Sequence, residues 1–211
     1  MRTILVSFFI VFALRSGGQD AIQTISKTYF RAHPFDSKFS TFILNLQRDP
    51  WLTINEYYRR TDSTLFYVSG VYKNFNPFRF VPSELKFIVA EEEIVYGDSV
   101  QTHDTIVNLQ LIGIIDTSAA GSKLAEKEFK RFHQSQSKRF DDFTHKTLGG
   151  TNTMNGEIIN YFISPFSVSP VTIAWGLMPA TMQYSFAITI RFKVIQNQAS
   201  YIIQPGELKG M

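Results

Sequence analysis

Between Gln183 and Ile195 the chain alternates without a break. Tyr184, Phe186, Ile188, Ile190, Phe192 and Val194 hold one parity; Gln183, Ser185, Ala187, Thr189, Arg191 and Lys193 hold the other. A two-residue period sends successive side chains to opposite sides of an extended backbone, so this stretch predicts a strand with one buried and one wet face. One-sided alternation belongs to antiparallel sheets, because parallel sheets are covered on both faces and read as continuous apolar runs. The rest of the chain must therefore supply neighbours for an antiparallel sheet and a cover for one of its faces.

Neighbours are available. Residues 65–72, 85–96, 105–115, 157–164 and 171–178 are rich in β-branched and aromatic side chains and are bounded by turn residues such as Asn76-Pro77 and Gly97-Asp98. With 183–195 they predict a sheet of about five or six strands. The cover is also available. Ile22, Ile25, Tyr29 and Ala32 follow helical spacing, and so do Phe39, Phe42, Ile43 and Leu46, with His33-Pro34 between the two sets. Asp36 or Ser37 suits the second helix's N-cap. A long helix is predicted from an N-cap at Ser122 through Phe143, with Ala125, Phe129, Phe132, Gln136, Phe140 and Phe143 on one face. The expected fold is α+β: a mainly antiparallel sheet with an N-terminal helix pair and one long helix packed on one face. Phe recurs on both the long helix and the best strand, so those two surfaces should meet. No internal repeat or linker is visible, and residues 19–211 read as a single domain.

Residues 1–18 read differently. Met1-Arg2 precedes the uncharged run TILVSFFIVFAL, and Arg15-Ser16-Gly17-Gly18 follows it. This is the layout of a secretory signal peptide, and the run is shorter than the roughly 20 apolar residues of a spanning helix. Its removal changes the electrostatics. The chain has 21 Lys and Arg against 18 Asp and Glu, a formal charge of +3; without Arg2 and Arg15 the balance is 19 to 18. Such a charge names neither nucleic acid nor an anionic membrane as partner, and nothing after residue 18 is long enough to span a bilayer. The chain contains no cysteine, which excludes disulfides, thiolate metal sites and cysteine nucleophiles. Together with the absence of Asn-x-Ser/Thr acceptor sites, this points to bacterial export, periplasmic or secreted.

Candidate chemistry is sparse. Glu91-Glu92-Glu93 sits inside a predicted strand, with Glu91 and Glu93 on one side and Glu92 on the other. At least one carboxylate must face the core, where it has to be paired or protonated. The choice is between a pocket acid and a structural ion pair or strand end. Tyr57-Tyr58-Arg59-Arg60 and Phe75-Asn76-Pro77-Phe78-Arg79-Phe80 mix aromatic and basic side chains, either a ligand platform or loops closing the core. Trp175-Gly176 poses the same choice within a strand. The candidate ligand-binding residues are therefore Glu91, Glu92, Glu93, Tyr58, Arg59, Arg79 and Trp175. His103-Asp104 is expected on a loop. His133 and His145 would lie about 18 Å apart along a continuous helix, too far to share a metal there. Ser118 to Lys123 lacks phosphate-loop spacing and reads as a helix cap. No metal, cofactor or catalytic motif is implied. The sequence favours an exported, non-enzymatic binding module for a protein, a glycan or an apolar ligand. The alternatives are an exported carboxylate-dependent hydrolase, using acids such as Asp104 or the three glutamates, and a structural subunit of a cell-envelope assembly.

Overall fold

The computed structural model describes residues 20–61, 64–96, 102–148, 156–163, 169–178 and 180–200. The expected targeting segment and the expected turn at Gly97-Asp98 lie outside the described residues. The elements in chain order are α1 (residues 20–29), α2 (Phe39–Arg48), β1 (Leu52–Tyr58), β2 (Tyr67–Tyr72), β3 (Glu84–Tyr96), β4 (Thr102–Ile114), α3 (Ala119–Gln136), β5 (Asp142–Leu148), β6 (Gly156–Phe162), β7 (Val171–Met178), β8 (Gln183–Ile195) and β9 (Gln198–Ser200). The fold is α+β and its strand pairs are antiparallel, but among the described residues the sheet has nine strands, not five or six. Its order is β1-β2-β3-β4-β8-β7-β6-β5, with β9 paired to β8. Two four-stranded meanders, each preceded by helix, thus meet through their last strands, β4 and β8. This topological repeat has no counterpart in the sequence pattern.

The three strands that composition missed have separate causes. β1 carries Asn55 and Glu56 at an irregularity, where the register with β2 shifts between Ile54 and Glu56, so its alternation breaks. β9 has only three residues. β5 was hidden by an accident of spacing. The expected helix through Phe143 ends at Gln136, followed by a single 3-10 turn over Ser137–Arg139. Phe140 and Phe143 continue the helical spacing by coincidence, while the backbone has already reversed into a strand.

The helices cover one face. Phe186, Ile188, Ile190 and Phe192 of β8 are fully buried and stand opposite Gly113, Leu111, Leu109 and Val107 of β4. Above them, Phe132 of α3 meets Phe186 at 6.4 Å between ring centroids, Tyr29 of α1 meets Phe132 at 5.4 Å, and Phe39 of α2 meets Phe192 at 6.1 Å. The expected contact between the long helix and the best strand is therefore present. Phe78 and Phe80 stack at 5.2 Å over the end of β4. A Cβ at Gly113 would stand 2.7–2.8 Å from those rings, so only glycine admits them.

Helix ends also differ from expectation. The cap of α3 is Ser118, four residues before the expected Ser122; its Oγ accepts from the Gly121 amide at 3.0 Å. The expected caps of α2, Asp36 and Ser37, are replaced by Lys38, which makes no side-chain capping bond. The free amides of Phe39 and Ser40 instead donate to the carbonyl and Oδ1 of Asn197, at 2.8 and 2.9 Å. A residue 157 positions away thus does the work of a local cap.

Candidate functional site

The alternation of β3 separates the three glutamates as the sequence requires. Glu91 points to the helix-covered side with Phe87 and Val89. Its side chain is 9% exposed, and its carboxylate accepts from the Phe66 amide at 2.9 Å and from Arg60 Nη1 at 3.2 Å. It closes the start of β2 against β3 and is fully occupied in doing so. The partner is Arg60, not the neighbouring candidate Arg59, which is exposed beyond the end of β1. Glu93 is exposed near the end of β3. Glu92 points the other way, is exposed, and accepts from Asn108 Nδ2 at 2.7 Å. Glu91 and Glu92, on opposite faces of one sheet, do not flank a common bond.

The face that carries Glu92 is the one opposite α1, α2 and α3. A single cross-strand row runs over five of its strands: Tyr58 on β1, Tyr67 on β2, Ala90 on β3, Asn108 on β4 and Arg191 on β8. Tyr58 is 52% exposed and lies 6.0 Å from Tyr67 between ring centroids. Ala90 leaves a low step between the aromatic pair and the polar end. There, buried Asn108 holds the Glu92 carboxylate, and Asn108 Oδ1 has no partner among the described residues. Arg191 Nη1 donates to Thr172 Oγ1 at 2.6 Å, and Thr172 donates in turn to Asn160 Oδ1 at 2.7 Å. Burial lowers the basicity of the Arg191 guanidinium, and the charge of Glu92 offsets part of that effect. With neighbouring strands about 4.8 Å apart, Tyr67 and Arg191 are separated by about 14 Å across the sheet.

The remaining candidates lie elsewhere. Trp175 is 7% exposed, pairs with Phe186 across β7 and β8, and belongs to the core under α3. Arg79 is exposed and lines a groove of about 630 Å³ with Lys123, Lys127 and Arg131 on the outside of α3. The structure therefore brings Tyr58 and Glu92 to one face and leaves the other five candidates outside that row. Tyr67, Asn108 and Arg191 were missed. Each has the parity opposite to the apolar core residues of its strand, but only the register aligns them.

A second cluster lies between α3 and the β5–β6 pair. Because the helix ends at Gln136 and β5 returns beside it, the 18 Å separation expected along a continuous helix does not apply to His133 and His145. His133 Nδ1 is 3.0 Å from Tyr161 Oη, and His145 Nε2 is 2.6 Å from Glu157 Oε2. Burial lowers the pKa of His133, and the electrostatic interaction with His145 acts in the same direction. His103 and Asp104 lie within β4 and not on a loop. Among the described residues, no group of three or more His, Asp or Glu side chains is placed to hold a metal ion, and no helix is long and apolar enough to cross a membrane.

No protein-family model matches the chain, and neither a curated protein nor a solved structure matches it.

Proposed function

We propose that the protein is an exported, non-enzymatic binding module and that it takes a glycan on the face of the sheet opposite α1, α2 and α3. The observation that carries this reading is the row from Tyr58 and Tyr67 to Asn108 and Arg191, with Glu92 beside it. A sugar ring presents an apolar C–H face and a rim of hydroxyls. Aromatic rings offer a flat apolar surface for the first. Hydroxyls both donate and accept, so the rim calls for an acceptor such as a carboxylate and a donor such as a guanidinium. The row supplies these groups in that order, with about 14 Å between Tyr67 and Arg191. Asn108 and Thr172 fix the orientation of Glu92 and Arg191 before any ligand arrives, which reduces the ordering cost of binding.

A panel of soluble oligosaccharides, screened on an array and then titrated calorimetrically, tests the reading. Tyr67→Ala and Arg191→Ala are each expected to weaken the best ligand by at least about tenfold. Arg79→Ala, on the α3 side, should leave it unchanged. If no oligosaccharide binds at millimolar concentration, or if the Arg79 variant loses as much as the Arg191 variant, the assignment is wrong.

A further inference from the structure

The sheet ends in two edge strands of different character. β1 is broken by its register shift, carries exposed Glu56, and leads into Arg59-Arg60. Such bulges and charges are the usual defences of an unpaired edge. β5 has none of the irregularity. It pairs with β6 through seven residues in unbroken register, Asp142↔Phe162 to Leu148↔Gly156. Residues 142–147 are all exposed, Phe143 by 42%, and no described strand pairs with the outer edge. An edge of this kind is a template for another strand.

Its own sequence says which strand fits. When β5 is laid antiparallel against a second β5 with Thr144 opposite the partner's Thr144, Asp142 falls opposite the partner's Lys146 and Phe143 opposite the partner's His145. The two-fold repeats both pairs. Asp142, Thr144 and Lys146 share one face of the strand, and Phe143 and His145 share the other, so every pair also matches in side. We propose that two copies of this chain associate through β5 in this register, as an isologous dimer with one continuous sheet. An antiparallel edge-to-edge pair keeps each face of the sheet on its own side. Both faces opposite the helices therefore look the same way.

Sedimentation velocity on the purified protein over about 1–100 µM tests this. The parent chain should show a concentration-dependent dimer. Lys146→Asp places like charges opposite each other twice and should raise the dissociation constant by about tenfold or more; Asp142→Lys combined with Lys146→Asp should restore it. Circular dichroism identical to the parent certifies that each variant is folded. Because the chain has no cysteine of its own, Thr144→Cys gives a second measurement, a covalent dimer on mild oxidation. A chain that stays monomeric throughout, a dimer indifferent to Lys146→Asp, or a charge-swapped double variant that stays as weak as Lys146→Asp would each overturn the proposal.

Discussion

The two faces of the sheet are built from the same strands and do opposite things. The helix-covered face is a continuous aromatic and aliphatic surface; in β8 its side chains, Phe186, Ile188, Ile190 and Phe192, are without solvent exposure. The other face of the same strand carries Ser185 and Thr189, which are also buried, and half-buried Arg191, whose guanidinium donates to Thr172 Oγ1 of β7 and to the Ser169 carbonyl. Glu91 and Glu92 put the contrast into adjacent residues. One closes the core edge with every contact internal; the other stands exposed, held by a single amide. Of the two, only Glu92 is left by folding with its carboxylate exposed.

The sharpest way to break this comparison is at Phe186, which meets Phe78 at 5.3 Å as well as Phe132. Phe186→Ala should lower the unfolding free energy by about 3–5 kcal/mol in a denaturant titration; a loss below about 1 kcal/mol would mean that the covered face is not the packed one. Glu91→Ala comes next. It leaves the Phe66 amide and Arg60 without their acceptor, at a cost of about 1–3 kcal/mol by the same measurement. The neighbouring change Glu92→Gln should alter stability by about 0.5 kcal/mol or less, as exposed positions do, while weakening any glycan that the Arg191 variant also weakens. Equal destabilisation by the two glutamate variants would erase the distinction between the faces.

The smallest effect concerns pH. The pKa of His133 is lowered in the folded protein from an ordinary value of 6.5. The unfolded chain thus takes up the proton first as pH falls. The contribution of neutral His133 is complete above about pH 6.5 and declines as pH drops below it toward the lowered folded value. His133→Gln should flatten the stability profile below about pH 6.5 relative to the parent. An unchanged slope would show that the contact with Tyr161 does not depend on protonation.

Much of the covered face was legible in the chain. The parity of β8, the stripes Phe42-Ile43-Leu46 and Ala125-Phe129-Phe132, and the opposed directions of Glu91 and Glu92 all follow from the periods 2.0 and 3.6 of the backbone. Where local spacing was ambiguous, reading failed. Phe140 and Phe143 fit a helix as well as they fit a turn and a strand, and that ambiguity hid β5 and the proximity of His133 to its aromatic neighbours. Glu128, on a helix rich in exposed charge, is buried because Arg131 pairs with it and reaches Tyr29 of α1 at 3.2 Å; nothing local announces that partner.

The sequence by itself determined that the chain forms an α+β structure, which residues of each strand share a side, and that its packing proceeds without cysteine. Each of these is set by a residue's immediate neighbours. Tertiary structure decided which side is buried, which strands adjoin, and hence that Tyr58, Tyr67, Asn108 and Arg191 form one row although they are spread over 134 positions of the chain. Register depends on long-range pairing of whole strands, and shifting it by one residue would send every side chain to the opposite face.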